Sequence, residues 1–220
     1  MDEFKIVKQS EIHAIVRPWV NERLIPDHFE ETGTLKWVCS VDAPIRQVFG
    51  FAQWRGGKVA PMWGVSLDFV PHISGGKIRW HRTAKSAMCD LNVDARDPAL
   101  DLSYMYGTRP IEDGAAQVVA EAVRRARDFW DRARRISDLP QAIDWLRTYL
   151  SGPGLGFYNY VQHPLAGAFA CAINQQPAKA VTELEHFMEH TPLHDDVGEK
   201  LRQLLRDITT QGIDRPAGSS

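Results

Sequence analysis

Cysteine is scarce in this chain. Cys39, Cys89 and Cys171 are the only three in 220 residues, and no two share a C-x-x-C spacing. An odd, scattered set disfavours a disulfide framework and a zinc knuckle, and it fits a reducing compartment. Long apolar runs are missing as well. No stretch reaches the roughly 18 apolar residues that a bilayer-spanning helix needs. The opening MDEFKIVKQSEIHAIV starts acidic and never becomes continuously apolar, unlike a secretory signal. These features predict a cytoplasmic, soluble chain with no membrane segment. An excess of one charge is absent too. The formal net charge is -2, so no global field draws the chain to nucleic acid or to an anionic membrane.

What is present is an ordinary globular balance, 44 % hydrophobic and 25 % charged residues, in a chain long enough to bury a sizeable core. Seven tryptophans point to a core or an interface built on large aromatics. Between residues 3 and 24, Phe4, Val7, Ile12, Ile15, Val16, Trp19, Val20 and Leu24 recur at helical spacing, with Pro18 as a break or restart. The period then changes. Residues 35 to 41, 45 to 55, 60 to 73, 77 to 82 and 86 to 93 read as five strands. They are joined by short turns at 42 to 44, Gly56-Gly57, Gly75-Gly76 and 83 to 85. Such short links make neighbours antiparallel. A loop over 94 to 109 precedes a long helix from Pro110 to about Ile136 and a second helix from Asp138 to Leu150. Three short amphipathic helices follow, at Pro164 to Asn174, Pro177 to His190 and Asp195 to Ile208.

The expected fold is therefore α+β. It combines a five-stranded antiparallel meander, long helices packed on one face, and a small all-α C-terminal region. The expected division is a sheet domain over 1–150, a Gly/Pro linker over 151–160, a helical subdomain over 161–211 and a flexible tail over 212–220. The linker carries SGPGLG, which follows a helix and lacks the strand and the Lys-Ser/Thr of a phosphate loop, so it reads as a hinge. NQQPAKAVTELEHFMEH has the pattern of one tetratricopeptide-like helix hairpin, too few for a solenoid.

Candidate chemistry concentrates in DFVPHISGGKIRWHRTAKSAMCDL. With Gly75-Gly76 at the centre of a type I′ turn, Ser74 pairs with Lys77 and His72 with Arg79. Ile73 then faces Ile78, and Pro71 faces Trp80, on the side expected to pack on the long helix together with Trp63 and Leu67. Asp68, His72, Arg79 and His81 gather on the opposite side with Ser66. A guanidinium and two imidazoles beside a carboxylate suit an anion or acid–base work. A solvated face of an antiparallel sheet explains the same pattern and is the commoner case. Lys85 and Ser86 lie just beyond.

WGVSLDFVPHISGGKIRWHRTAKSAMCDL, following VDAPIRQVFGFAQWRGG, resembles a group of uncharacterised bacterial proteins carrying a domain of unknown function. The resemblance covers about residues 1 to 150. It implies a small α+β domain without known chemistry, of an immunity or accessory type.

Two further motifs weigh less. His186 to His190 matches H-x-x-E-H, the inverted zinc-protease signature, but the only glutamate further on is Glu199, in a separate helix. An adventitious His186/His190/His194 metal site is favoured over catalysis, a solvated helix face is the simpler reading still, and neither a metal site nor a cofactor is assigned. Of the six arginines from Arg124 to Arg135 on the long helix, three follow acids at i,i+4: Glu121/Arg125, Asp128/Arg132 and Asp131/Arg135. That pattern disfavours a nucleic-acid surface. The leading expectation is a protein-binding module of immunity, regulatory or accessory type, its partner another protein. The alternative is an enzyme or binding domain for a phosphate or carboxylate compound, using Asp68, His72, Arg79 and His81.

Overall fold

The computed structural model describes residues 8–54, 58–94, 100, 102–103, 111–150 and 163–211. The expected features at residues 1–7, the Gly56-Gly57 turn, the 151–160 linker and the 212–220 tail lie outside these. Helix α1 (Gln9–Leu24) begins where the Glu11 carboxylate accepts the Lys8 N–H at 3.2 Å. It runs through Pro18 without the expected break. The reason is local: Pro18 and Ala14, one turn earlier, are both exposed, so the carbonyl that Pro18 cannot bond faces water.

The sheet is built from β1 (Glu30–Gly33), β2 (Lys36–Cys39), β3 (Ile45–Trp54) and β4 (Lys58–Leu67). The chain then forms a short hairpin, β5 (His72–Ser74) and β6 (Lys77–Arg79), before β7 (Leu91–Asp94) and β8 (Leu102–Ser103). The strand order is β1-β2-β3-β4-β7, antiparallel throughout, with β8 also paired to β4. The protein is thus α+β around a five-stranded antiparallel path, as expected.

One detail differs. The β5–β6 hairpin is a separate two-stranded sheet, and β7 takes the place beside β4. Apolar alternation continues past Leu67 through Phe69 and Pro71, which gives 60 to 73 the pattern of one strand. The ladder ends because the Asp68 N–H bonds Pro44 O at 2.9 Å, and the Val70 N–H turns back to Leu67 O at 3.0 Å. Pro71 then has no N–H with which to resume it. Trp80 consequently lies beyond β6 and outside the main core, half-buried under the Arg82 guanidinium at 4.1 Å from its ring centre.

Alternation along the strands makes two faces. Trp37, Ile45, Phe49, Trp63, Val65, Leu67, Leu91 and Val93 point one way and are buried. Helices α1 and α2 (Ile111–Arg132) cover them. The α2 stripe Ala115, Val119, Ala122, Ala126, Phe129 and Trp130 is buried at helical spacing. Two tryptophans anchor the layers with their ring N–H groups: Trp37 to Asn21 Oδ1 at 2.8 Å and Trp130 to Gly64 O at 2.9 Å. The outer side of α2 holds local ion pairs, Arg124 to Glu121 and Asp128 and Arg125 to Glu121.

Helices α3 (Leu139–Leu150), α4 (His163–Ile173), α5 (Pro177–His190) and α6 (Asp195–Gln211) continue the same buried cluster through Leu146, Phe169, Leu184, Phe187 and Leu201. The turn from α4 to α5 is a Schellman closure. The Gln176 N–H bonds Cys171 O, and the Gln175 N–H bonds Ala172 O, with Gln175 at φ 57°. His163 ties α4 to β7 by accepting the Asn92 N–H at 3.2 Å. Burial, with Arg147 second, pushes its pKa down to about 4, so it stays a neutral acceptor.

Candidate functional site

The second face of the sheet carries Lys36, Val38, Arg46, Val48, Gly64 and Ser66. The segment from His81 to Asp90 roofs it. Ala87 packs with Val38 and Val48, and Lys36 Nζ donates to Ala87 O at 2.5 Å and to Lys85 O at 3.2 Å. Ser66 Oγ accepts the Met88 N–H at 3.3 Å. Thr83 and Ser86 share hydroxyl and backbone bonds that fold the roof into a tight turn. Gly64 permits the close approach: a Cβ there would sit 2.1 Å from Leu91 O and 3.1 Å from Cys89 Sγ.

Asp90 locks the junction. Leu67 lies just beyond the stretch of β4 that pairs with β7, and its N–H donates to Asp90 Oδ2 at 2.6 Å. The carboxyl is buried, and burial pushes its pKa up to about 8 against the lowering by the Leu67 bond. The neighbouring Cys89 thiol is pushed up to about 12, chiefly by burial, which makes it an inert packing group.

The four residues singled out by sequence meet this frame unequally. The hairpin register is the expected one: His72 opposes Arg79, Ile73 opposes Ile78 and Ser74 opposes Lys77, with Gly75 and Gly76 at φ 58° and 70°. The His72 and His81 rings meet edge to face with centres 4.9 Å apart. Burial lowers the pKa of both below 6.5. The charge of His81 adds to this for His72. A Ser86 backbone bond offsets it for His81, which Lys36 lowers further. The His81 Nε2 is buried and makes no hydrogen bond. Arg79 and Lys77 are exposed, as is Lys85 on the roof.

Asp68 stands apart from the histidines in role. It forms an ion pair with Arg46, which is itself only 8 % exposed. Arg46 Nη2 also donates to Arg82 O at 2.7 Å, and Arg82 Nε donates back to Asp68 O at 3.0 Å. This closed Arg46–Asp68–Arg82 lattice splices the hairpin segment to β3. Sequence reasoning missed Arg46, Arg82 and Lys36. The available signal was Arg46 inside the strand IRQVFGFA, at an even position opposite Ser66.

The chemistry follows from these ties. Asp68 is occupied by a guanidinium, and Asp90 is buried and protonated at neutral pH. Neither is set to orient an imidazole as a general base. What remains is a half-buried pair of imidazoles, each with its pKa lowered by burial, bordered by exposed cations. Comparison with protein-family models, with curated proteins and with solved structures finds no match to the chain. Among the described residues no helix is long and apolar enough to cross a membrane.

Proposed function

We propose that this protein is a protein-binding module that docks an acidic surface of its partner through the outer side of the β5–β6 hairpin. The observation that carries the reading is the division of labour among charges. Asp68 is held by Arg46, while Lys77 and Arg79 stand exposed on the hairpin. Exposed cations attract acidic partners and speed their encounter. The immunity or accessory role implied by the resemblance to bacterial proteins is compatible with such a surface. Three free thiols support a cytoplasmic setting.

The test is affinity capture from source-cell lysate with the wild type and with Lys77→Glu/Arg79→Glu, followed by titration of the purified captured protein. The reading expects a partner that binds the wild type in a salt-sensitive way and loses the charge-reversed variant by tenfold or more. Equal binding of the two proteins would refute it.

A second reading has one observation in its favour. The unpaired His81 Nε2 beside the His72 ring offers a polar atom to a small phosphate or carboxylate compound. Titration with inorganic phosphate, followed by the histidine ring resonances in NMR, separates the two. Saturable shifts at His72 and His81 support the small ligand, and unchanged rings oppose it.

A further inference from the structure

We infer that His186, Glu189 and His190 form a binding site for one divalent transition-metal ion, with Zn2+ the best match. From the sequence, the third ligand beside His186 and His190 would be His194. The structure supplies the third from within the motif. One ligand atom from each of the three side chains lies within 4.8 Å of the others.

The spacing explains the meeting. Residues at i, i+3 and i+4 stack on one side of a helix, and the His186 and His190 ring centres are 4.4 Å apart. In tetrahedral coordination two ligands about 2.1 Å from zinc lie about 3.4 Å apart. Side-chain torsions must bring the ligand atoms closer by up to about 1.4 Å, and all three side chains are exposed.

A second feature prepares the site. The His190 Nδ1 lies 2.8 Å from His186 O. Donation from Nδ1–H to that carbonyl leaves the lone pair on Nε2. This is the arrangement in which metal-binding histidines are usually held. On the other side of α5, Ala180, Leu184 and Phe187 are buried, so the ligands stand on a helix fixed to the core. The neighbouring Glu185 is engaged by Arg202 at 3.0 and 3.2 Å and does not compete for the ion.

Two imidazoles and one carboxylate select zinc and its late first-row neighbours over Mg2+ and Ca2+, which prefer all-oxygen sets. Three protein ligands leave at least one coordination position for water or for a group from another molecule. The ion would also brace the last turn of α5, across His186 to His190.

The experiment is calorimetric titration of the metal-stripped full chain with zinc chloride at pH 7.5. Wild type, His190→Ala, Glu189→Gln and, as a control, His81→Ala are compared. The wild type is expected to bind one equivalent with a dissociation constant on the order of 1–10 µM, and magnesium chloride to give no binding. His190→Ala should weaken zinc at least tenfold and Glu189→Gln severalfold, while His81→Ala leaves it unchanged. All four positions are part of the folded chain, so circular dichroism identifies any variant that fails to fold. His186→Gln replaces His190→Ala if that variant does. Cobalt substitution should give weak visible bands without the intense near-ultraviolet band of a thiolate. No zinc binding by the wild type, binding unaffected by loss of His190 or its substitute, or a thiolate band would each overturn the assignment.

Discussion

Replacing Asp90 by asparagine should change how stability depends on pH more than it changes stability itself. In the folded chain the Asp90 carboxyl accepts the Leu67 N–H at 2.6 Å in a buried setting, and its pKa is pushed from 3.8 up to about 8. The folded state therefore holds a proton that the unfolded chain has released. Stability from this group is full below the unfolded value and is lost as pH rises through the folded one. One pKa unit corresponds to about 1.4 kcal/mol, so the wild type should lose roughly that much per pH unit across most of the window between 3.8 and 8. The substituted amide would keep an oxygen to accept the Leu67 N–H but carry no titrating proton. Urea denaturation of both proteins at pH 5.5, 6.5 and 7.5 measures the difference directly, because other titrating groups are common to both. The gap between them should shift by about 2–3 kcal/mol in favour of Asp90→Asn from pH 5.5 to 7.5. Parallel profiles would mean that Asp90 is ionised in the fold, and that the roof over β4 admits water.

Three other changes have defined outcomes. Gly64→Ala places a Cβ 2.1 Å from the Leu91 carbonyl, so β7 must move, and denaturant unfolding should show a loss of roughly 3 kcal/mol or more. His81→Gln should reduce the stability that the wild type loses between pH 6.5 and pH 5, followed by thermal melts. His81 has a lowered pKa in the fold, so its contribution is present above 6.5 and is lost on acidification. Gln175→Gly relieves a residue at φ 57° in the α4–α5 turn and should raise stability by about 0.5–1 kcal/mol; a decrease would mean that the Gln side chain packs usefully there.

The sequence made the fold class readable because both periods were strong. Alternation from Trp63 to Leu67 and the 3.6-residue stripe of α2 each match one buried face. The hairpin register was equally readable, since Gly75-Gly76 can occupy the two positive-φ positions at no steric cost. Its placement was not. Whether the chain after Leu67 stays in the sheet depends on Pro44 O, which lies far away in sequence and captures the Asp68 N–H. The site was partly readable for the same reason. His72 and Arg79 share a local turn, and local pairings leave a signature. The Arg46–Asp68 pair and the Asp90–Leu67 bond join segments 22 or 23 residues apart, and nothing in either segment alone announces them. Pro18 misled because its effect on a helix depends on whether the freed carbonyl meets water, which burial decides and sequence does not.

The most direct test of the proposed recognition surface is a side-by-side binding and unfolding measurement on Arg79→Ala. Arg79 is exposed, opposite His72 on β6. Truncation at such a surface position should alter unfolding free energy by no more than about 0.5 kcal/mol. The account predicts that this well-folded variant loses most of its affinity for the captured partner and most of the salt dependence of binding. Unchanged affinity at unchanged stability would contradict it, and would move the binding surface away from the β5–β6 hairpin.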